Sequence, residues 1–246
     1  MDRLIYTAMT GANAASHRQA VLSNNLANVS TNGFRAELST YRAVPVRGDG
    51  SPTRVMALEA TPGFLDIPGS PQRTGRAMDA MTTGNSWFGV QGLDGTEAYT
   101  RNGSFEVASD GTLKTNNGLT VLSDGGAPIT VPAGAEVTLG SDGTVSAKVG
   151  NQPSTGLGRL KLATPTTEDP LKRGDDGLFR TTSGEPIPND TNARLQLGVI
   201  EGSNVNAIET MVGMIQTARQ FEAQTRLMQT AEADDRAAAQ LLSMQG

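Results

Sequence analysis

Apolar positions recur at Met1, Ile5, Ala8, Ala12 and Ala15, skip at Gln19, and resume at Leu22, Leu26 and Val29, in alternating steps of four and three. That spacing predicts an N-terminal helix with a coiled-coil seam. The seam is narrow and alanine-rich, so two helix axes can approach closely along it. Gly11 inside it costs about 1 kcal/mol against alanine and marks a contact or a bend. At the other end of the chain, Ala207, Met211, Met214, Ala218, Phe221, Thr225 and Met228 repeat the pattern, flanked by Ile208 and Ile215, with a weaker continuation through Ala231, Ala238 and Leu242. Asn206 and Glu209 have the spacing of a capping box, which starts this second helix near Asn206.

Between the two seams the period changes. Asn102-Gly, Asp110-Gly and Asn117-Gly separate short runs at 97–101, 104–108, 112–115 and 119–122, the spacing of a β-meander with two-residue turns. Asp124-Gly, Asp142-Gly and Asp176-Gly punctuate further strand candidates at 129–131, 136–139, 160–162 and 178–182. The predicted fold is mainly β with terminal α: a central β-sandwich or barrel-like domain over 80–182, with N- and C-terminal helices, 1–30 and 206–246, pairing as a coiled coil. Segments 31–79, with prolines at 45, 52, 62, 68 and 71, and 183–205, with the strand-like 194–200, read as extended connections.

The N-terminal seam runs out in Asn24-Asn-Leu-Ala-Asn-Val-Ser-Thr-Asn-Gly-Phe-Arg35. A helix end needs one asparagine or glycine in the left-handed conformation, and Asn32-Gly33 supplies it, leaving Asn24, Asn25 and Asn28 to be explained. Each amide offers donors and an acceptor without charge, so identical chains can exchange hydrogen bonds where a ring of like charges would repel. Gly33 permits a backbone path that a Cβ would obstruct, and Phe34 packs the chain as it leaves the helix.

Composition narrows the partners. The net charge is -5, and 16 of the 20 basic residues are arginines scattered singly, which argues against nucleic acid or anionic lipid. Without cysteine there is neither a disulfide framework nor a thiolate metal site. The start of the chain lacks the pattern of a cleaved signal peptide, and no run reaches the roughly 18 apolar residues of a spanning helix, so no membrane insertion is expected.

Candidate chemistry is sparse. His17 is the sole histidine and falls in mid-helix, no G-x-S-x-G elbow or phosphate-cradling loop occurs, and Gly156-Leu-Gly158 reads as a turn. Asp175-Asp176 and Asp234-Asp235 read as a turn and as solvated charge on a helix. Trp87, the only tryptophan, could stack on sugar if exposed, which would suit a secreted adhesin or carbohydrate-binding module with a helical stalk. Its place in Ser86-Trp-Phe-Gly-Val-Gln91 favours a core strand instead. No catalytic residue, cofactor or metal ligand is predicted.

Asn24 to Arg35 resembles the N-terminal signature of the bacterial flagellar rod and hook proteins. Tyr99-Thr-Arg-Asn-Gly-Ser-Phe105 with Asp110-Gly-Thr-Leu113 is similar to that family's β-domain motif, and 202–206 with Met211, Met214, Arg219, Phe221 and Glu222 resembles its C-terminal helix. The opening nine residues, 42–46 and 173–179 resemble the proximal rod proteins more than the distal rod or longer hook proteins. Arg35 stands where many relatives carry lysine, a change expected to matter little.

The resemblance implies a structural subunit of the rod, spanning the periplasm in the flagellar basal body. It also implies export by the flagellar export apparatus, with an export chaperone, without a cleaved signal. Partners would be copies of itself, other proximal rod subunits and the distal rod protein FlgG. The expected assembly interface is Ile5, Ala8, Ala12, Ala15, Leu22, Asn24, Asn25, Leu26, Asn28, Val29, Gly33, Phe34, Asn206, Met211, Met214, Ala218, Phe221 and Met228. Seams left uncovered in a lone chain would keep the termini disordered until assembly.

Overall fold

The computed structural model describes residues 2–45, 55–59 and 63–243. Met1, Pro52, Pro62 and the side chain of Leu242 lie outside the described residues. The chain forms two compact units, one of Met1–Val29, Ala36–Leu65 and Val205–Gly246, the other of Ser30–Arg35 and Asp66–Asn204.

The first unit contains helices α1, Asp2–Ala27, and α2, Ala207–Ser243. Asn206 caps α2 through its Oδ1, which accepts from the N–H groups of Ile208 and Glu209 at 3.1 and 3.3 Å. The helices run antiparallel: a Cβ added at Gly11 would meet the Gln224 side chain at 3.0 Å, and one at Gly213 would meet Leu22 at 3.4 Å. Over the described residues both terminal segments are therefore helical in the single chain, where disorder was expected, because the two helices pack on each other. A hairpin of Tyr41–Pro45 and Val55–Glu59 packs on α1, and the Tyr41 hydroxyl donates to the Ala14 carbonyl at 2.9 Å.

The second unit is β. Its larger sheet runs in the order Leu171–Arg173, Phe179–Thr181, Glu97–Thr100, Trp87–Gln91, Thr120–Val121, Leu113–Thr115, Phe105–Val107, with Leu162–Ala163 also pairing with Trp87–Gln91. Its two ends do not meet, so of the two expected forms, sandwich or barrel-like, no closed barrel forms. A three-stranded meander, Ala135–Leu139, Thr144–Val149 and Thr155–Arg159, shares the core: its Val137, Leu139 and Val145 cluster with Phe88, Phe105, Leu113 and Leu162. Phe88 and Phe105 meet edge to face at 5.1 Å.

Three hairpins use the same Asp-Gly-Thr turn. At Asp94, Asp110 and Asp142 the carboxylate accepts from both the N–H and the hydroxyl of the threonine two residues on.

The expected meander from 97 to 122 forms only in its later part. Glu97–Thr100 pairs with Trp87–Gln91 across the Asp94-Gly95 turn and not with Phe105–Val107. Asn102-Gly103 is instead a crossing point, where a Cβ on Gly103 would lie 1.7 Å from the Ala80 carbonyl oxygen, whose own N–H donates to Gly103 O. The strand-like stretch 194–200 divides into Leu195–Leu197 and Val199–Glu201, broken at Gly198, which has φ +65°.

Candidate assembly surface

Along α1 the expected seam is the face turned inward: Ala8, Ala12 and Ala15 are buried, while Ile5, Leu22, Leu26 and Val29 are half-buried. The inward face of α2 is offset from its apolar series. It runs through Thr210, Gly213, Met214, Thr217, Gln224, Met228 and Ala231, whereas Met211, Ala218 and Phe221 are exposed. Small inner residues explain the offset, since Gly213 and the two threonines allow a close approach that Met211 and Phe221 would prevent. The buried hydroxyls are satisfied locally, Thr210 donating to Asn206 O and Thr217 to Gly213 O, both at 2.8 Å.

The helix pair is consequently small inside and large outside. Ile208 is 75% exposed, Ile215 55% and Met211 48%, with Val212 and Leu227 also open. On a helix, Ile208, Met211, Val212 and Ile215 fall on one face. Contiguous exposed apolar side chains of that kind make this face a candidate contact surface.

The asparagine cluster divides by role. Asn25 is buried, its Nδ2 donating to Glu37 O at 2.9 Å while its Oδ1 accepts from Glu37 N at 2.8 Å, so one amide clamps the strand Glu37–Leu38. Asn28 Nδ2 donates to the backbone and side-chain oxygens of Asn24, both at 2.9 Å, at the point where α1 ends. These amides thus have partners within their own chain.

In the β unit, Gly33 combines φ +71° with an approach so close that a Cβ would lie 2.4 Å from the Arg101 carbonyl carbon. Its N–H donates to Glu201 O at 2.8 Å. Phe34 is buried beneath the Arg173 guanidinium, 4.6 Å from its ring centroid.

Sequence reasoning passed over the charge cluster beside these two residues. Glu201 is fully buried; it takes Arg35 Nη1 at 2.5 Å and Gly69 N at 2.9 Å on Oε1, and Arg101 Nη1 at 3.5 Å on Oε2. Arg101 also donates to Thr82, Gly84 and Asn85, and burial, eased by Glu201, pushes it down to about 10, so it stays charged at neutral pH. Both guanidinium groups lie over the Trp87 ring, their central carbons 5.6 Å (Arg35) and 4.8 Å (Arg101) from its centroid. Arg35 Nε also faces Asp66 at 3.7 Å. Arg35 thus does two things at once, pairing with Glu201 and lying over Trp87, where a lysine ammonium would offer a single point charge. The only sequence signal for Glu201 was an acid inside an apolar strand.

Trp87 is completely buried against these arginines and Phe179, which removes it as a sugar-stacking surface. His17, Asp234 and Asp235 are exposed, and Asp176 is held by Arg180 at 2.7 Å in its hairpin. Among the described residues no group of acids, histidines or cysteines could hold a metal, and no helix is long and apolar enough to cross a membrane.

Comparison with known proteins fits this geometry. Residues 5–35 match the flagella basal body rod protein model, 81–147 the D1 domain of the flagellar hook protein FlgE/F/G, and 196–241 the C-terminal model of the flagellar basal body rod FlgEFG proteins. The flagellar basal-body rod protein FlgF of Escherichia coli K12 is 44% identical over 99% of this chain and 100% of its own length, and FlgF of Salmonella typhimurium LT2 matches equally. FlgG of Agrobacterium fabrum C58 is 30% identical over 94% of this chain and 95% of its own. With whole-length likeness on both counts and higher identity to these FlgF sequences than to FlgG, this chain belongs to the FlgE/F/G family of flagellar rod and hook proteins.

Proposed function

We propose that this chain is a structural subunit of the flagellar basal-body rod, building the axial shaft through its terminal helices. The observation that carries the reading is the apolar outer face of α2, Ile208, Met211, Val212 and Ile215, which the described residues leave exposed. Neighbouring subunits bury it by the hydrophobic effect, at about 25 cal/mol per Å² of apolar surface. Ala8, Ala12 and Ala15 set the spacing of the helix pair that each subunit presents, while Met211, Ala218, Phe221 and the exposed Asn24 meet the neighbours. Coiled-coil geometry belongs to this assembled state.

The subunit lies between inner and distal rod, with copies of itself and a FlgG-type subunit as neighbours. It reaches the periplasm through the flagellar export apparatus, with a chaperone holding the apolar face until assembly. It carries load and performs no chemistry. Replacing Ile208 and Ile215 together with aspartate tests the reading: cells carrying that chain are expected to lose swimming while the purified protein keeps the Trp87 fluorescence of a folded β unit. Swimming at the wild-type level would overturn it.

A further inference from the structure

Arg101 meets more than Glu201 and Trp87. With Asp66, Thr82, Thr83, Asn85 and Gln196 it lines an open pocket of about 480 Å³. Ligand sites commonly span ~300–1,000 Å³. These residues all belong to the β unit. The Arg101 side chain is only 2% exposed, whereas Thr83, Asn85 and Gln196 are open to solvent, so the pocket has a buried cation within and neutral polar groups at its mouth.

That cation is short of negative charge. Glu201 Oε2 stands 3.5 Å away, and Glu201 makes its close pair with Arg35 instead, at 2.5 Å. The other acceptors around Arg101 are neutral: Thr82 Oγ1 at 3.0 Å, the Gly84 carbonyl at 3.1 Å and Asn85 Oδ1 at 3.2 Å. Among the described residues its Nε finds no acceptor. Burial, and to a smaller extent Arg35 beside it, work against its charge. A buried guanidinium is held best by a carboxylate at hydrogen-bond distance, whose bonds are about twice as strong as those of neutral acceptors.

Asp66 decides which anion suits the pocket. Its side chain is 43% exposed at the pocket wall and lies 3.7 Å from Arg35 Nε. A doubly charged sulfate or phosphate meets twice the repulsion there that a singly charged carboxylate meets. The amides of Asn85 and Gln196 supply donors without adding charge.

We propose that this pocket receives a carboxylate, presented by an aspartate or glutamate side chain of another protein docked on the β unit. A free acid in so open a pocket would keep much of its water, which screens the pair. A docked protein excludes that water and strengthens it. Ile67, between two residues of the wall and 55% exposed, adds apolar surface for such a partner. The inference uses no residue of α2, so it goes beyond the rod reading and can fail separately from it.

Asn85→Asp supplies the carboxylate from within the chain. It is expected to raise the urea midpoint followed at Trp87. Sodium acetate, titrated against sodium chloride at constant ionic strength, is expected to shift Trp87 emission of the wild type saturably. Asn85→Asp should abolish that shift, Asp66→Asn should tighten acetate binding several-fold, and sodium sulfate should give no shift. A purely structural Arg101 would leave wild-type emission unmoved by acetate, which would overturn the site. In flagellated cells, a photo-crosslinking residue in place of Gln196 is expected to join this chain to another flagellar protein beside an acidic residue, and Asn85→Asp to remove the adduct. Acetate binding with no adduct would give the pocket to a free acid and overturn the docked partner. No acetate shift, with swimming still lost in the chain carrying Ile208→Asp and Ile215→Asp, would remove the pocket and leave the rod reading standing.

Discussion

The two units distribute bulk in opposite ways. In the β unit Trp87, Phe88, Phe105 and Leu113 are wholly buried, the hairpins turn on Asp-Gly pairs, and the exposed large apolar side chains, Leu93 foremost, are scattered. In the helical unit alanine, glycine and threonine fill the inside, while Ile208, Met211 and Ile215 face outward. The first arrangement is finished in one chain. On the proposed reading the second lacks the partner its large outer side chains require, and the energetic optimum of that unit includes neighbours. Mutations should therefore read oppositely in the two units: inner changes in the β unit cost folding, and outer changes in the helical unit cost assembly. Trp87 fluorescence reports the former and helical ellipticity the state of the latter.

The largest effect is expected at Glu201. Glu201→Gln leaves Arg35 and Arg101 buried without their counter-charge, a loss of about 3–5 kcal/mol, measured by urea unfolding followed through Trp87. A midpoint close to wild type would mean the cluster is relaxed by water and does not hold the β unit together.

Next is Ala12→Leu, which forces bulk into the close-packed helix pair at a cost of about 1–3 kcal/mol. It should lower the helical melt and leave the Trp87 transition in place. Asn25→Ala, which strands both backbone groups of Glu37, belongs to the same range, about 1–3 kcal/mol; unchanged helical melting would show that water replaces the clamp.

Smaller still is an acid effect confined to the β unit. Hydrogen bonds from threonine hold Asp94, Asp110 and Asp142 below the ordinary Asp value of 3.8, Asp110 at about 2. Their folded values lie below their unfolded ones, so the stabilisation is complete above that ordinary value and is lost as pH falls through the folded values. Melts followed at Trp87 between pH 5 and 2 should decline in that window, and Asp110→Asn should flatten the decline.

Much of this contrast was legible from residue order where the cause is local. Asn206 caps α2 because its amide reaches N–H groups two and three residues on, and Asp110-Gly-Thr makes its turn within five residues. The alternation of four and three marked the true inner face of α1. In α2 the same alternation spans two faces, Met214 and Met228 turning toward α1 while Met211, Ala218 and Phe221 are exposed, because the inward line also takes small and polar residues such as Gly213 and Thr217. Asn102-Gly103 carried a turn signal but serves a contact with Ala80, and the hairpin belongs to Asp94-Gly95, which the pattern did not single out. The Glu201 cluster was out of reach, since Arg35 and Arg101 lie 166 and 100 positions away and only the folded sheet brings them together.

The account turns on the outer face of α2 being open in the single chain and covered in the shaft. A thiol introduced by Ile215→Cys into this cysteine-free chain reads that state directly. Rapid labelling by a water-soluble maleimide is predicted for the purified protein, and protection is predicted for the same chain within isolated basal bodies. Equal labelling in both, or protection already in the purified chain, would contradict it.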